Sequence, residues 1–208
     1  MSAQSAEAIA ESGHMDAASL PDWVIPPPGG FTAEIFLRMR DLPRHTELID
    51  GSLVFVSPQR KWHVRVINLL RDELARQAPE SLCADREMTV KLGERQAPEP
   101  DVLVVSAEAY ERDEPSTYYL ADDVVLVVEA VSPDSEIRDR EIKPRRYGEA
   151  GIKHYWRVEE DAGRTIVYVY EFEPAGAAYA LTGIHHDQLK VTVPFDIEID
   201  LTAVRKRR

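Results

Sequence analysis

The stretches Asp101-Val102-Leu103-Val104-Val105 and Val124-Val125-Leu126-Val127-Val128-Glu129 are near-continuous apolar runs rich in β-branched residues. Runs of this kind form strands in the middle of a sheet that is buried on both faces. Asp101 opens the first run and Glu129 closes the second. A carboxylate at the end of a fully apolar strand is costly unless it is paired or bound to a metal ion. The two runs therefore predict both the centre of a sheet and a candidate site beside it.

Patterns outside these runs predict the rest of the fold. Thr32 is expected to cap a short helix, and Asp50-Gly51 is typical of a hairpin turn. Residues 60–77 carry apolar residues at helical spacing and predict the longest helix. Further expected elements are a strand over 82–92, a helix over 144–150 and strands over 153–158, 165–172, 178–182 and 190–193. This order predicts an α/β (α+β) domain: a central mixed β-sheet flanked by helices, with an N-terminal helix and hairpin and extra antiparallel strands at the C-terminus.

Length and composition set the domain organisation. The chain has 208 residues, of which 44% are hydrophobic and 30% charged, and this is ordinary for one globular domain. Residues 1–24 are small, polar and acidic and are expected to be a disordered tail. We expect a single domain over residues 25–204 and a basic tail over residues 205–208.

Charge and cysteine usage exclude several classes of protein. The net charge of −12 argues against a protein that coats nucleic acid with its whole surface, but it allows a local basic groove and suits carboxylates around a hard cation. No apolar run approaches the roughly 20 residues of a membrane span, so no membrane association is expected. The single cysteine, Cys83, excludes a disulfide scaffold. With no signal-peptide pattern at the start, a cytoplasmic location is expected.

Asp101 and Glu129 form the strongest chemical hypothesis. On neighbouring strands the two carboxylates can share a divalent cation, which keeps both of them ionised. Each residue also has an ordinary explanation, since Asp101 follows Pro100 as turn residues often do, and Glu129 can simply meet solvent or an arginine.

An ordered set of motifs carries a family resemblance: Glu47-Leu48-Ile49-Asp50-Gly51, His63, Pro100-Asp101, Val127-Val128-Glu129-Ala130-Val131-Ser132-Pro133, Asp139, Lys143, Tyr147, Gly151-Ile152 and Tyr155-Trp156. Over about residues 30 to 172 the chain resembles the Uma-two family, restriction-endonuclease-like proteins of the PD-(D/E)XK nuclease superfamily. The resemblance implies a restriction-endonuclease-like core and a magnesium-dependent endodeoxyribonuclease, in which Asp101 and Glu129 hold Mg²⁺ or Mn²⁺.

The resemblance also implies a catalytic lysine. Its usual position, two residues after the glutamate, is Val131 here, and the matching residue is Lys143. Pro144 disfavours helical geometry at Lys143, so we expect Lys143 to cap the following helix. The alternative is a solvated surface lysine.

Other residues are weaker candidates. By the resemblance Glu47 is a further acidic site residue, although it also suits an exposed hairpin position. His63 is expected to contact phosphate or water, or else to be a partly buried helix histidine, and Asp139 to pair with Arg145 or Arg146. The candidate contacts to phosphate or DNA are His63, Arg60, Lys61, Arg145 and Tyr147.

Three functions therefore stay open. The first is a metal-dependent endonuclease acting on DNA, for which the resemblance and the apolar late strands also suggest a homodimer. The second is a catalytically inactive nuclease-fold module that binds DNA or a protein partner. The third is a carboxylate-pair hydrolase that needs no metal.

Overall fold

The computed structural model describes residues 25–56 and 59–205. The acidic tail expected over residues 1–24 and most of the basic tail, residues 206–208, lie outside the described residues. The described chain ends in a 3-10 turn, Leu201–Arg205, in which Val204 is buried.

The predicted helices and strands occur in the expected order, and the structure adds one short helix and two strands that were not predicted. The helices are α1 Ala33–Phe36, α2 Lys61–Gln77, α3 Ala107–Glu111 and α4 Lys143–Glu149. The strands are β1 Glu47–Ile49, β2 Ser52–Val54, β3 Leu82–Asp85, β4 Thr89–Lys91, β5 Val102–Ser106, β6 Tyr118–Leu120, β7 Val124–Ala130, β8 His154–Asp161, β9 Arg164–Glu173, β10 Ala178–His185, β11 Gln188–Val191 and β12 Ile197–Asp200. None of the helices in this part of the chain is long and apolar enough to cross a membrane.

A six-stranded mixed sheet forms the centre of the molecule. Its strand order is β10-β9-β8-β7-β5-β3, with β7 and β8 parallel and the other pairs antiparallel. Helices flank both faces of the sheet, so the predicted fold class is confirmed. The two apolar runs are β5 and β7, which pair with each other and are almost entirely buried, as their composition predicted.

The register between β5 and β7 brings the two carboxylates together. Val102 pairs with Val128 in this antiparallel ladder, so the residue before β5 lies beside the last residues of β7. Asp101 accepts a hydrogen bond from the backbone N–H of Ala130 at 2.7 Å. Strand pairing alone therefore places Asp101 next to Glu129.

Side-chain alternation divides the core into two layers. Val66 and Leu70 of α2 pack with Val128 and Trp156 on one face of the sheet. On the opposite face, Tyr147 of α4 belongs to a second buried cluster, together with Val127 and Tyr155. The neighbours Tyr155 and Trp156 are thus both core residues on opposite faces.

Residues 82–92 differ from the predicted single strand. Glu87 has a left-handed backbone conformation with φ 53°, and it separates β3 from β4. β3 is the edge of the central sheet, whereas β4 pairs in parallel with β6. Both halves are strands, as predicted, but the left-handed residue Glu87 separates them and they belong to different sheets.

The hairpin β1–β2 turns at Asp50-Gly51, as predicted. Both residues have positive φ, 52° and 79°, the combination required by a tight type I′ turn. Arg95 donates a hydrogen bond to the carbonyl of Asp50 at 2.7 Å, and Arg146 of α4 pairs with the Asp50 carboxylate. These contacts fix the hairpin, which carries Glu47, against the helix that carries Lys143.

Candidate active site

A buried ion pair joins strand β7 to helix α4. Lys143 Nζ lies 3.0 Å from each carboxylate oxygen of Glu129. The two residues are only 5% and 1% exposed. Tyr147, one helical turn after Lys143, donates its hydroxyl to Glu129 Oε1 at 2.5 Å. Lys143 is therefore no solvated surface residue, and Glu129 is held by two donors of α4.

Two further carboxylates complete the surroundings of Lys143. Glu47 Oε1 lies 2.8 Å from Nζ, and Asp139 Oδ1 lies 3.5 Å away. Both side chains are buried, so the exposed hairpin position considered for Glu47 is excluded. Asp139 was expected to pair with Arg145 or Arg146, but it faces Lys143 instead, because residues four apart share one side of a helix.

Asp101 lies at the mouth of this cluster and contacts helix α2. Its Oδ1 is 2.9 Å from His63 Nε2, while Oδ2 accepts the hydrogen bond from Ala130. His63 is 4% exposed, and its second ring nitrogen, Nδ1, has no hydrogen-bond partner among the residues that the structure describes. We call Glu47, Asp101, Glu129 and Asp139 the carboxylate cluster.

Lys143 reaches the cluster because the chain before it forms a wider, underwound turn. Residues Arg138–Ile142 form a π-helical turn, and the N–H of Lys143 bonds to the carbonyl of Arg138. Pro144 lacks the N–H that would reach the carbonyl of Asp139 in this pattern. The hydroxyl of Tyr155 donates to that carbonyl instead. Lys143 is therefore helical and continuous with the turn, and the expectation that it caps the helix is wrong.

Burial and charge act in opposite directions on Lys143. Burial alone lowers its pKa, but the carboxylates, Glu129 first and then Glu47, outweigh this and raise the pKa well above the ordinary value. The ammonium group thus keeps its proton at neutral pH. Burial raises the pKa of Glu129 and of Asp139 above their ordinary values, with Lys143 opposing the shift in both.

The carboxylate cluster has the donor atoms for a divalent cation. Carboxylate oxygens suit Mg²⁺ and Mn²⁺. Each oxygen of Asp101 accepts one hydrogen bond in the structure, and Asp139 Oδ1 is buried without one, so the cluster keeps lone pairs for a ligand. The combined negative charge of the four carboxylates also exceeds the combined positive charge of Lys143 and His63. The set therefore fits a hard cation by its chemistry.

The present side-chain positions are those of a lysine-centred cluster. Over residues 25–56 and 59–205, no three His, Cys, Asp or Glu side chains are arranged as a metal-binding group. The ammonium group of Lys143 lies between Glu47, Glu129 and Asp139.

Two connected cavities lead from the cluster to the surface. The inner one, of about 40 Å³, is lined by Glu47, Asp101, Asp139 and Lys143. The outer groove, of about 270 Å³, shares His63 and two other residues with it. A cavity of the inner one's size holds a water molecule or a small cation. Residues from both cavities can therefore meet one bound group.

The candidate contacts to DNA lie in different places. Arg60 lines the outer groove, and Lys61 is the exposed first residue of α2. Arg145 instead lines a separate cavity. Tyr147 is fully buried against Glu129, and this leaves no surface for the expected contact with DNA. The groove also contains carboxylates, Glu159 among them, so its rim is of mixed charge.

The structure brings together Asp101, Glu129, Lys143, Glu47 and His63 from five separate parts of the sequence. The role of Tyr147 as a partner of Glu129 was missed, and Asp139 was given too little weight. The four-residue spacing from Asp139 to Lys143 was the available signal for the latter. For Tyr147, the equal spacing from Lys143 would have placed both residues on the side of the helix that faces Glu129.

The mixed sheet and the strand-end carboxylates define a protein with a restriction-endonuclease-like nuclease fold. Residues 33–203 match the model of the Uma2 family, described as "Putative restriction endonuclease", and the chain belongs to this family. The protein resembles the crystal structure of a "putative nuclease belonging to DUF820" from Anabaena variabilis, with a TM-score of 0.59 and 17% sequence identity, covering 84% of this chain and 97% of that one. At this identity the likeness shows the fold alone. No curated protein matches the chain.

Proposed function

We propose that this protein is an endonuclease that hydrolyses phosphodiester bonds of DNA with the help of Mg²⁺ or Mn²⁺. Membership in a nuclease family supports a hydrolase of this class. The observation that carries the proposal is the meeting of Asp101 and Glu129 at abutting ends of two central strands, with Lys143 within 3.0 Å of Glu129. A buried arrangement of this kind is costly, and a structural role alone needs no such charge density.

Asp101 and Glu129 would hold the cation, with Glu47 and Asp139 nearby to complete its charge balance. When bound, the cation polarises the phosphoryl oxygen and lowers the pKa of a water molecule. Asp101 is already oriented by two hydrogen bonds, and Glu129 by Lys143 and Tyr147. Ligands that are fixed in this way need little rearrangement during the reaction.

Lys143 acts as a protonated donor in this proposal. Because the surrounding carboxylates raise its pKa, the lysine does not serve as a general base. Its ammonium group instead donates hydrogen bonds to the attacking water or to a phosphate oxygen, where negative charge develops. Glu47 and Asp139 keep it directed into the inner cavity.

His63 is suited to contact the substrate at the entrance. Burial lowers its pKa, but the hydrogen bond and charge of Asp101 outweigh burial, so the pKa lies above the ordinary value. Nε2 is engaged by Asp101, and the buried Nδ1, which has no partner among the described residues, would bond to a water that bridges to the substrate. Arg60 lines the same groove and would hold a neighbouring phosphate.

Asp101→Asn tests the proposal. The asparagine keeps the size and can still accept from Ala130, but it removes one negative charge from the cluster. We expect Mn²⁺-dependent nicking of supercoiled plasmid to fall about 100-fold or more, and Mn²⁺ binding measured by calorimetry to be lost. The matched control is Asp122→Asn, an exposed carboxylate of a 3-10 turn, which should behave as wild type.

Two outcomes would contradict the proposal. Full activity of Asp101→Asn would exclude this cluster as the catalytic centre. A folded wild-type protein that binds DNA but neither binds Mn²⁺ nor cleaves would favour the non-catalytic module. A homodimer and a cytoplasmic location remain predictions, and the former is measured directly by light scattering of the purified protein.

A further inference from the structure

A third cavity, of about 230 Å³, lies beside helix α4. We call it the Arg–Tyr pocket, and it is lined by Arg140, Pro144, Arg145, Gly148, Tyr155, Arg157, Tyr170, Ala177, Ala178 and Tyr179. Three of these residues are arginines, three are tyrosines and none is a carboxylate. This combination differs from the outer groove, where four of the lining residues are acidic. Arg140 and Arg157 pair with Glu159, so the pocket offers aromatic surface together with the positive charge of Arg145.

The arginines of the pocket differ in their contacts with other side chains. Arg145 is exposed and forms no ion pair within the described ranges. Arg157 lies over the ring of Tyr168, with Cζ 4.5 Å from the centroid, and 5.5 Å from the centroid of Tyr170. Its Nε also lies 2.7 Å from Glu159 Oε1, and Glu159 pairs with Arg140 as well. Of the three arginines that line the pocket, Arg145 alone has no ion pair within the described part of the chain.

The tyrosines give the pocket a fixed aromatic wall. The Tyr155 ring centroid lies 5.7 Å from that of Tyr170 and 5.6 Å from that of Tyr179. The hydroxyl of Tyr179 donates to the carbonyl of Ile152 at 2.7 Å, which holds the ring in place. Gly148 lets α4 pack closely beside this wall, because a Cβ there would lie 3.0 Å from the ring of Phe172.

The Arg–Tyr pocket lies next to the candidate active site, and the two share lining residues and helix α4. Arg140 lines both the pocket and the outer groove. Helix α4 presents Lys143 to the carboxylate cluster, while the next two residues, Pro144 and Arg145, line the pocket. The ring of Tyr155 lines the pocket and its hydroxyl holds the carbonyl of Asp139. One layer of side chains therefore separates the two sites.

We propose that the Arg–Tyr pocket binds one unpaired nucleotide of the DNA substrate, with its base against the half-buried rings of Tyr170 and Tyr179 and its phosphate on Arg145, the arginine without an ion pair in the described chain. This inference rests on the proposed function. Aromatic rings stack with any base, and arginines hold phosphate, so the combination recognises a nucleotide rather than a base or a phosphate alone. A base within a duplex is stacked on its neighbours, so the nucleotide would come from an unpaired or extruded position.

Binding of thymidine 5′-monophosphate to the metal-free full chain tests the inference without any cleavage. We expect saturable binding by NMR titration, with shifts of the ring resonances of Tyr170 and Tyr179 but not of Tyr119. Thymidine and inorganic phosphate should each bind about 5-fold or more weakly than the nucleotide, because each lacks half of the contacts.

Arg145→Ala should weaken nucleotide binding by about 5-fold or more. The matched control is Arg65→Ala, which removes the same charge from an exposed position on α2. Equal losses in the two variants would reveal non-specific attraction and overturn the inference. So would an inorganic phosphate affinity equal to that of the nucleotide, or no saturation below about 10 mM.

The two proposals fail separately. An enzyme that cleaves DNA but does not bind the nucleotide in this pocket would refute only the pocket. A protein that binds the nucleotide but whose Asp101→Asn variant equals wild type in every metal and cleavage assay would refute only the proposed catalytic site.

Discussion

Lys143 donates to both carboxylate oxygens of Glu129, each at 3.0 Å, in a region where both side chains are almost completely buried. A buried ion pair of this kind adds little net stability compared with a well-packed apolar pair, because both charges lose their hydration. Removing one partner is nevertheless costly, since the other charge is left behind. The pair therefore agrees with the proposed role of both residues in the active site, and a gain in stability does not account for it.

Lys143→Met is expected to destabilise the protein by about 3–5 kcal/mol near neutral pH. The substitution keeps most of the side-chain volume but leaves the carboxylate cluster without its central cation. Urea unfolding measures the effect. The control is Lys190→Met, which breaks an exposed pair with Glu198 and should cost less than about 1 kcal/mol.

The double variant Lys143→Met/Glu129→Gln should be less destabilised than the sum of the two single variants, because neither partner is then left charged opposite a neutral group. Additive losses would mean that the two side chains do not stabilise each other. In a nuclease assay both single variants and the double variant should be inactive.

Tyr147→Phe tests the second donor to Glu129. The ring stays packed, but the hydrogen bond at 2.5 Å is lost. We expect a destabilisation of about 1.5–3 kcal/mol. In the proposed nuclease site the tyrosine orients Glu129 as a metal ligand and does not touch DNA, so kcat should fall about tenfold with little change in KM.

Tyr119→Phe is the matched control for Tyr147→Phe. Its hydroxyl donates to Asp85 at 2.9 Å, and the side chain is likewise buried. Stability should fall comparably without loss of activity. An equal loss of activity in both variants would show that Tyr147 acts only through the stability of the fold.

The sequence alone was sufficient to predict that Asp101 and Glu129, at the ends of two central strands, lie side by side. Val102–Val105 and Val124–Val128 are too apolar to lie anywhere but in the centre of the sheet, and antiparallel pairing then brings Asp101 beside Glu129. The tight turn at Asp50-Gly51 followed equally from local chemistry, since both residues tolerate positive φ.

The surroundings of Lys143 could not be derived from local sequence. Pro144 argues against a helical Lys143, and the structure resolves this conflict with a π-helical turn whose free carbonyl is satisfied by Tyr155. That hydroxyl lies 16 residues along the chain. The burial of Glu47 depends in the same way on tertiary packing, because a strand of three residues shows no periodicity of its own.

Gly51→Ala is expected to lower both stability and activity. Alanine is strained at φ 79°, and its Cβ would lie 2.5 Å from the guanidinium of Arg95. The guanidinium of Arg95 must then move away, and its hydrogen bond to the carbonyl of Asp50, which helps to hold the hairpin that carries Glu47, is lost. Gly29→Ala is the control, because Gly29 also has a positive φ but no atom near the added Cβ. In urea unfolding we expect Gly51→Ala to be more destabilised than Gly29→Ala by about 1 kcal/mol or more. Equal losses of stability in the two variants would show that the contact with Arg95 does not matter.

The stability of the central sheet should depend on pH through His154. This residue of β8 faces Glu171 across the ladder with β9. Burial lowers its pKa, an effect that Glu171 opposes and Lys153 reinforces, so the pKa in the folded state lies below the ordinary value of about 6.5. The unfolded chain therefore takes up the proton first as the pH falls. The folded state keeps its full stability above pH 6.5 or so and loses part of it as the pH drops toward the folded-state pKa.

His154→Gln removes this titration but keeps a polar side chain in the strand. We expect the unfolding free energy of wild type, relative to that of the variant, to decrease as the pH is lowered from about 7.5 to about 5.5. Urea unfolding at a series of pH values measures it, and the comparison cancels the titration of groups that both proteins share. A difference that stays constant over this range would show that folding leaves the pKa of His154 unchanged.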